Sequence, residues 1–200
     1  MSYTLYHAPQ SRSSQILWLA EELGAPYHIH KINLDTHDGK DGGFEAASPF
    51  GKVPAIRDGN TAINETGGIA LYLADKYGYG TLAPKHDAAN RGDYYRWVVL
   101  ACASLDAALI NTMTKREEFP RGQASLTKIT DFIASTVHKH AYVAGDQFTA
   151  ADVMIASGLR WGMFMKAVPA NAALQAYVER TTARPAAKKA QEIDAKLKGA

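Results

Sequence analysis

Three hydroxyls crowd the end of the first strand-like segment of this chain. Tyr6 lies within Tyr3–His7, and Ser11 and Ser13 follow in the polar stretch Gln10-Ser11-Arg12-Ser13-Ser14 beyond Pro9. A loop that leads into a helix can donate hydroxyls to an anion while the helix's positive end stabilises the charge. Each residue also has a plain use: a tyrosine within a strand is more often packed, Ser13 or Ser14 can cap the helix, and Arg12 can be a surface or interdomain residue.

Two further places carry polar chemistry. Glu65-Thr66 fall where a strand meets a helix, so free amides and a hydroxyl point at whatever lies before that terminus. Asn64 or Thr66 can equally serve as an ordinary cap. Val53-Pro54, taken alone, reads as a turn, and Lys40 and Lys52, in polar surroundings, read alone as solvated cations.

The elements that must position these residues follow from periodicity. Tyr3–His7 predicts a strand. Ile16, Leu19, Ala20 and Leu23 predict a helix stopped by Gly24 and Pro26, and Tyr27–Leu34 predicts a second strand. Strand, helix and strand with short connections form a parallel, right-handed βαβ unit. After a polar loop, Asp35–Gly43, a short helix reaches Ser48. Val53–Arg57 and Thr61–Ile63 then flank the turn Asp58-Gly59-Asn60 as a hairpin, and Glu65–Tyr77 is a helix closed by Gly78.

Beyond a linker rich in Gly and Pro the strand signals end. Tyr94, Trp97, Val98, Ala101 and Leu105 repeat at helical spacing, and further helices fit 121–140, 149–165, 171–182 and 185–198. In Phe148-Thr149-Ala150-Ala151-Asp152-Val153, Thr149 caps a helix and Asp152 reaches back to the cap, which is a structural role. The fold class is α/β followed by all-α: a first domain over 1–80 and a helical domain over 87–200.

Composition narrows the class. The net charge is +2 from 22 basic and 20 acidic residues scattered along the chain, which predicts no nucleic-acid partner. No apolar run approaches the roughly 18 residues of a membrane helix, and Met1-Ser2-Tyr3-Thr4 lacks a signal region, so no membrane association and a cytoplasmic location are expected. Lys188–Lys198 reads as a solvated helix face. Cys102 is the single cysteine, which excludes a two-cysteine redox motif. His28, His30 and His37 lack a matching ligand set, so no metal is expected.

Three blocks together resemble the cytosolic glutathione transferases, most closely their fungal and proteobacterial subgroup: Leu5 to Ser13, Ser48 to Ile56, and Asn64 to Leu73. The resemblance implies a thioredoxin-like first domain that binds glutathione as co-substrate, with no other cofactor. It also implies a helical domain that holds a small hydrophobic electrophile, with Tyr94, Tyr95 and Trp97 on its first helix, and assembly as a homodimer. It implies a cis Val53-Pro54 bond, leaving the Val53 backbone as a strand edge for the cysteinyl group. Thr66 and Glu65 would take the γ-glutamyl carboxylate and amine, and Lys52 and Lys40 the glycine carboxylate. Members activate the thiol with a serine, tyrosine or cysteine near the first strand's end, so the catalytic candidates here are Ser11, then Tyr6, then Ser13. This chain departs from the family pattern at Thr66, usually serine, and at Gly67-Gly68, which weaken the start of a helix by roughly 1 kcal/mol per glycine.

The resulting reading is a transferase that ionises glutathione to attack an electrophile, with reduction of peroxides or disulfides by glutathione also open. The alternative is a glutathione-binding regulatory or stress protein with little catalysis, since a fold alone does not separate the two.

Overall fold

The computed structural model describes residues 2–115 and 125–199, so the first part of the helix expected over 121–140 lies outside the described residues. The chain forms two compact units. One comprises the residues up to Gly78 together with those from Arg184 onward, and the other is Tyr79–Ala183.

The first unit begins with β1 (Tyr3–His7), α1 (Ser13–Leu23), β2 (Tyr27–Lys31), α2 (Gly42–Ala47), β3 (Ala55–Asp58), β4 (Thr61–Asn64) and α3 (Thr66–Tyr77). The sheet order is β2-β1-β3-β4, with β1 and β2 parallel and the other pairs antiparallel. This is the expected thioredoxin-like arrangement. Leu5, Ile16, Leu19, Ile56, Ile69 and Leu73 fill the space between sheet and helices and are fully buried. Gly24 stops α1 at φ 62°, a conformation glycine adopts without a Cβ penalty. β2 ends at Lys31 rather than Leu34, because the Asn33 side chain accepts from the amides of Asp35 and Thr36 and turns the chain.

The last helix, α9 (Pro185–Gly199), completes this unit rather than joining the other helices, unlike the expected 87–200 domain. Its small face, Ala187 and Ala190, is buried. Around that face opposite charges meet: Arg184 forks onto Glu22 at 2.7 and 2.8 Å, and Lys189 reaches Glu21 at 2.7 Å. The stretch read as a solvated face is therefore partly an interior contact on α1.

The second unit contains α4 (Arg91–Leu100), a π-helical turn (Ala101–Leu105), α5 (Asp106–Thr114), α6 (Leu126–Lys139), α7 (Ala150–Phe164) and α8 (Ala172–Thr182). Tyr94, Trp97, Leu105, Leu109, Ile155 and Tyr177 are fully buried in its core. The start of α7 carries the expected capping box: the Thr149 amide donates to Asp152 Oδ2 at 2.9 Å. Asp152 also accepts from the Val143 amide and the Tyr177 hydroxyl, both at 2.9 Å. Within the continuous helical run Arg91–Thr114 an 18-residue window has a mean hydropathy of 1.4, which by length and composition alone is enough to cross a membrane. That corrects the expectation of no such run, and Tyr94, Trp97 and Leu105 of this helix lie in the unit's core.

Candidate functional site

The sheet register brings the separate sequence blocks to one end of the first unit. Tyr6, near the end of β1, pairs with Ala55, the first residue of β3, and Ala55 pairs with Asn64, the last residue of β4. The loop after β1, the Val53-Pro54 segment before β3 and the Glu65-Thr66 pair after β4 therefore emerge side by side. His7 pairs with Lys31 at the end of β2, so the loop carrying Lys40 leaves from the same end. The N-termini of α1 and α3, at Ser13 and Thr66, begin there too. Two helix starts of eleven and twelve residues thus present free amides beside a hydroxyl-rich loop.

Among the three catalytic candidates, the structure places only Ser11 partly at the surface. Its hydroxyl lies 2.7 Å from both the Ala8 carbonyl and Ser13 Oγ, and its single rotating proton serves one of these acceptors at a time. It also accepts from the Ser13 amide at 3.1 Å, so the serine is held at the first turn of α1. Ser13 is fully buried, its Oγ 2.8 Å from His7 Nδ1 and accepting from the Ala8 amide at 3.1 Å. Tyr6 is 4% exposed, its ring packed against Phe44 and His30 among Ile32, Ala47, Ala55 and Val53. Its hydroxyl sits beside Gly43, where an added Cβ would come within 3.1 Å.

The Val53-Pro54 bond is cis, and the backbone of Val53 has no partner among the described residues. Ser48 fixes the preceding backbone, donating to the Lys52 carbonyl at 2.7 Å and accepting from its amide at 3.0 Å. Glu65 stands at φ 67°, ψ 119°, a sparsely populated region for a residue with a side chain that costs about 1–3 kcal/mol. Such strain recurs at ligand sites, and the Glu65 and Thr66 side chains take no partner among the described residues. The Lys52 side chain is exposed and Lys40 half-buried.

The structure adds two residues that the sequence did not single out. His7 is fully buried at the end of β1, and its Nε2 lies 3.1 Å from Asp194 Oδ1 on α9. That is ion-pair distance, though the approach is not a well-aligned hydrogen bond. Asp194 also accepts from the Ser14 hydroxyl at 2.7 Å and the Gln10 amide at 3.1 Å. Burial alone would raise its carboxyl, but the contacts from His7, Ser14 and Gln10 outweigh it and hold it below the usual carboxylate range. A histidine in a strand and an aspartate in a Lys-rich helix, at opposite ends of the chain, give no local pattern that would pair them.

Tyr94 and Trp97 are fully buried in the second unit, whereas Tyr95 is 38% exposed and accepts from Arg91 at 2.7 Å. Among the described residues no cluster of three or more His, Cys, Asp or Glu side chains is gathered for a metal ion.

With this geometry in place, similarity to known proteins identifies the class. Residues 11–76 match the glutathione S-transferase N-terminal domain and residues 97–185 the glutathione S-transferase C-terminal domain. The chain is 33% identical to glutathione S-transferase 3 of Schizosaccharomyces pombe over 169 residues, 74% of this chain and 69% of that protein. It is 27% identical to the disulfide-bond oxidoreductase YghU of Escherichia coli over 76% of this chain and 58% of that protein. Its fold is similar to that of a glutathione transferase family member from Pseudomonas fluorescens solved with two glutathione bound, with TM-score 0.79 and 22% identity over 95% of this chain and 92% of the other. The chain belongs to the glutathione S-transferase family and carries both of its domains.

Proposed function

We propose that this protein is a glutathione transferase that binds glutathione at the end of the first unit's sheet and ionises its thiol for attack on a small hydrophobic electrophile. The observation that carries this reading is the register that sets Ser11, Val53 and Glu65-Thr66 side by side at two helix starts. The unpaired Val53 backbone suits the cysteinyl peptide as an added strand would. Thr66 and the amides of α3 suit the γ-glutamyl carboxylate, Glu65 its amine, and Lys52 and Lys40 the glycine carboxylate. Ser11, being partly exposed, donates to the thiolate, ahead of the buried Tyr6 and Ser13.

Glutathione is the co-substrate, and the protein works as a cytoplasmic homodimer in detoxification. Tyr95 and Val99, one turn apart on α4, are exposed apolar groups suited to an interface with a second copy. A second reaction, reduction of small disulfides by glutathione itself, is favoured by the name of the Escherichia coli relative. The loop after β1 holds no cysteine, so glutathione would supply the attacking thiol.

Calorimetric titration with glutathione, beside assays of halogenated aromatics, isothiocyanates, epoxides, hydroperoxides and a small disulfide, tests this reading. Binding with turnover of one substrate class is expected. Binding with no turnover would favour a regulatory role, and no binding would overturn the reading.

A further inference from the structure

The polar chain behind Ser11 is longer than a thiol-activating hydroxyl needs. From the half-exposed Ser11 it runs inward through the buried Ser13 Oγ at 2.7 Å to His7 Nδ1 at 2.8 Å, and from His7 Nε2 to Asp194 Oδ1 at 3.1 Å. Serine, histidine and aspartate in sequence resemble the acyl-transfer triad, but Ser13 is fully buried and cannot reach a substrate carbonyl. Its hydroxyl has another use, because a serine can accept one proton while releasing another.

We propose that the proton leaving a bound glutathione thiol is carried through Ser11 and Ser13 onto His7, a positioning residue whose imidazolium is held by Asp194. This inference rests on the reading in which Ser11 faces the thiol. With a carboxylate beside Nε2 and a hydroxyl beside Nδ1, the transfer uses the tautomer that carries its proton on Nε2 and leaves the Nδ1 lone pair for Ser13. In the transfer the glutathione S–H bond breaks and its proton goes to Ser11 Oγ. Ser11's own proton moves to Ser13 Oγ, and Ser13's proton moves to Nδ1. Both hydroxyls are restored, one N–H bond is formed, and a thiolate is left facing the Ser11 O–H.

Burial favours this direction in one respect and opposes it in another. A lone imidazolium in the interior is costly, but here the new charge arises beside a carboxylate that already holds donors from Ser14 and Gln10. Nε2, poorly aligned for a hydrogen bond while the ring is neutral, gains an ionic partner when it is charged. Cationic residues on the neighbouring elements work the other way: Lys31 is the register partner of His7 on β2, Arg12 precedes α1, and Lys198 of α9 is held on Gln10 Oε1 at 2.6 Å. Asp194 is thus the group whose removal should weaken the transfer.

Nitrogen-15 NMR of the histidine-labelled full chain, with the His7 signal assigned through His7→Asn, reads the ring directly. Spectra are compared without ligand, with glutathione, and with S-methylglutathione, which has no thiol proton. The expected result is a neutral Nε2–H ring without ligand and with S-methylglutathione, and an imidazolium with glutathione. Because His7→Asn can disturb folding, Asp194→Asn provides the second arm. It should leave the glutathione dissociation constant nearly unchanged while raising the thiol pKa by about one unit, about tenfold less thiolate at a given pH. A purely structural Asp194 would change stability and leave that pKa in place. A ring that stays neutral while calorimetry shows binding and ultraviolet absorbance shows bound thiolate overturns the proposal and leaves the Ser11 reading standing. Binding without any thiolate overturns both.

Discussion

Asp152 and Asp194 are both carboxylates withdrawn from water, each collecting donors from distant segments, yet their networks end differently. Asp152 is fully buried, and its oxygens are taken by the amides of Thr149 and Val143 and the hydroxyls of Thr149 and Tyr177, all inside the second unit. The network closes on itself and joins α7, α8 and the loop before them. Asp194 begins a chain through His7 and Ser13 that ends at Ser11, a hydroxyl reaching the surface of the first unit. A closed network can only hold the fold. An open one leaves a polarised group for a ligand.

The two carboxyls also titrate in opposite senses. Burial pushes Asp152 up to about 6 despite its donors, whereas the donors to Asp194 prevail and hold it low.

The largest effect should come from breaking the closed network. Asp152→Ala would strand two buried amides and the Tyr177 hydroxyl, and urea unfolding should show a loss of about 3–5 kcal/mol. Asp152→Asn sharpens the point through pH. Because the folded carboxyl binds its proton more tightly than the unfolded one, its contribution is complete below the unfolded value near 3.8 and is lost as pH rises through about 6. The asparagine variant should therefore lose less stability than the parent between pH 4 and 6.5, and parallel curves would show that Asp152 does not titrate there. Asp194, with its lowered carboxyl, contributes above its unfolded pKa and loses that contribution as pH falls through the folded value.

At the open end, effects should appear in binding before stability. Thr66→Val keeps the shape but removes the hydroxyl at the start of α3, and calorimetry should show glutathione binding weakened by about 1.5–3 kcal/mol, with Thr66→Ser close to the parent. An unchanged dissociation constant in the valine variant would remove Thr66 from the site. Smaller still is Gly68→Ala in the first turn of α3, where an added Cβ meets only Ile63 at an ordinary 3.8 Å. Thermal unfolding should show a gain of about 0.5–1 kcal/mol. A loss would show that the glycine's freedom is needed there.

The same contrast explains what the sequence disclosed. Period, turn residues and breakers are local, so the βαβ unit, the Asp58-Gly59-Asn60 hairpin and the Thr149–Asp152 cap could be read directly. The Val53-Pro54 and Glu65-Thr66 blocks were legible as a pattern, but their convergence came from strand register, which no single block contains. The end of β2 was read too late because a side chain, Asn33, turns the backbone before the apolar signal stops. The position of α9 was missed because its binding face is alanine, which looks like any helix, and its charges look solvated until Glu21, Glu22 and Gln10 are seen opposite them. His7 and Asp194 belong to that same contact, so they were illegible for the same reason.

In the proposed reaction the hydroxyl at the open end of the first network ionises glutathione. The most direct measurement is the pH titration of thiolate absorbance for glutathione bound to the parent and to Ser11→Ala, with affinity followed in parallel. The parent should hold the thiol pKa below its free value of about 8.5, and the alanine variant should return it toward that value while binding glutathione almost as tightly. A bound thiol that titrates identically in the two proteins would contradict the account.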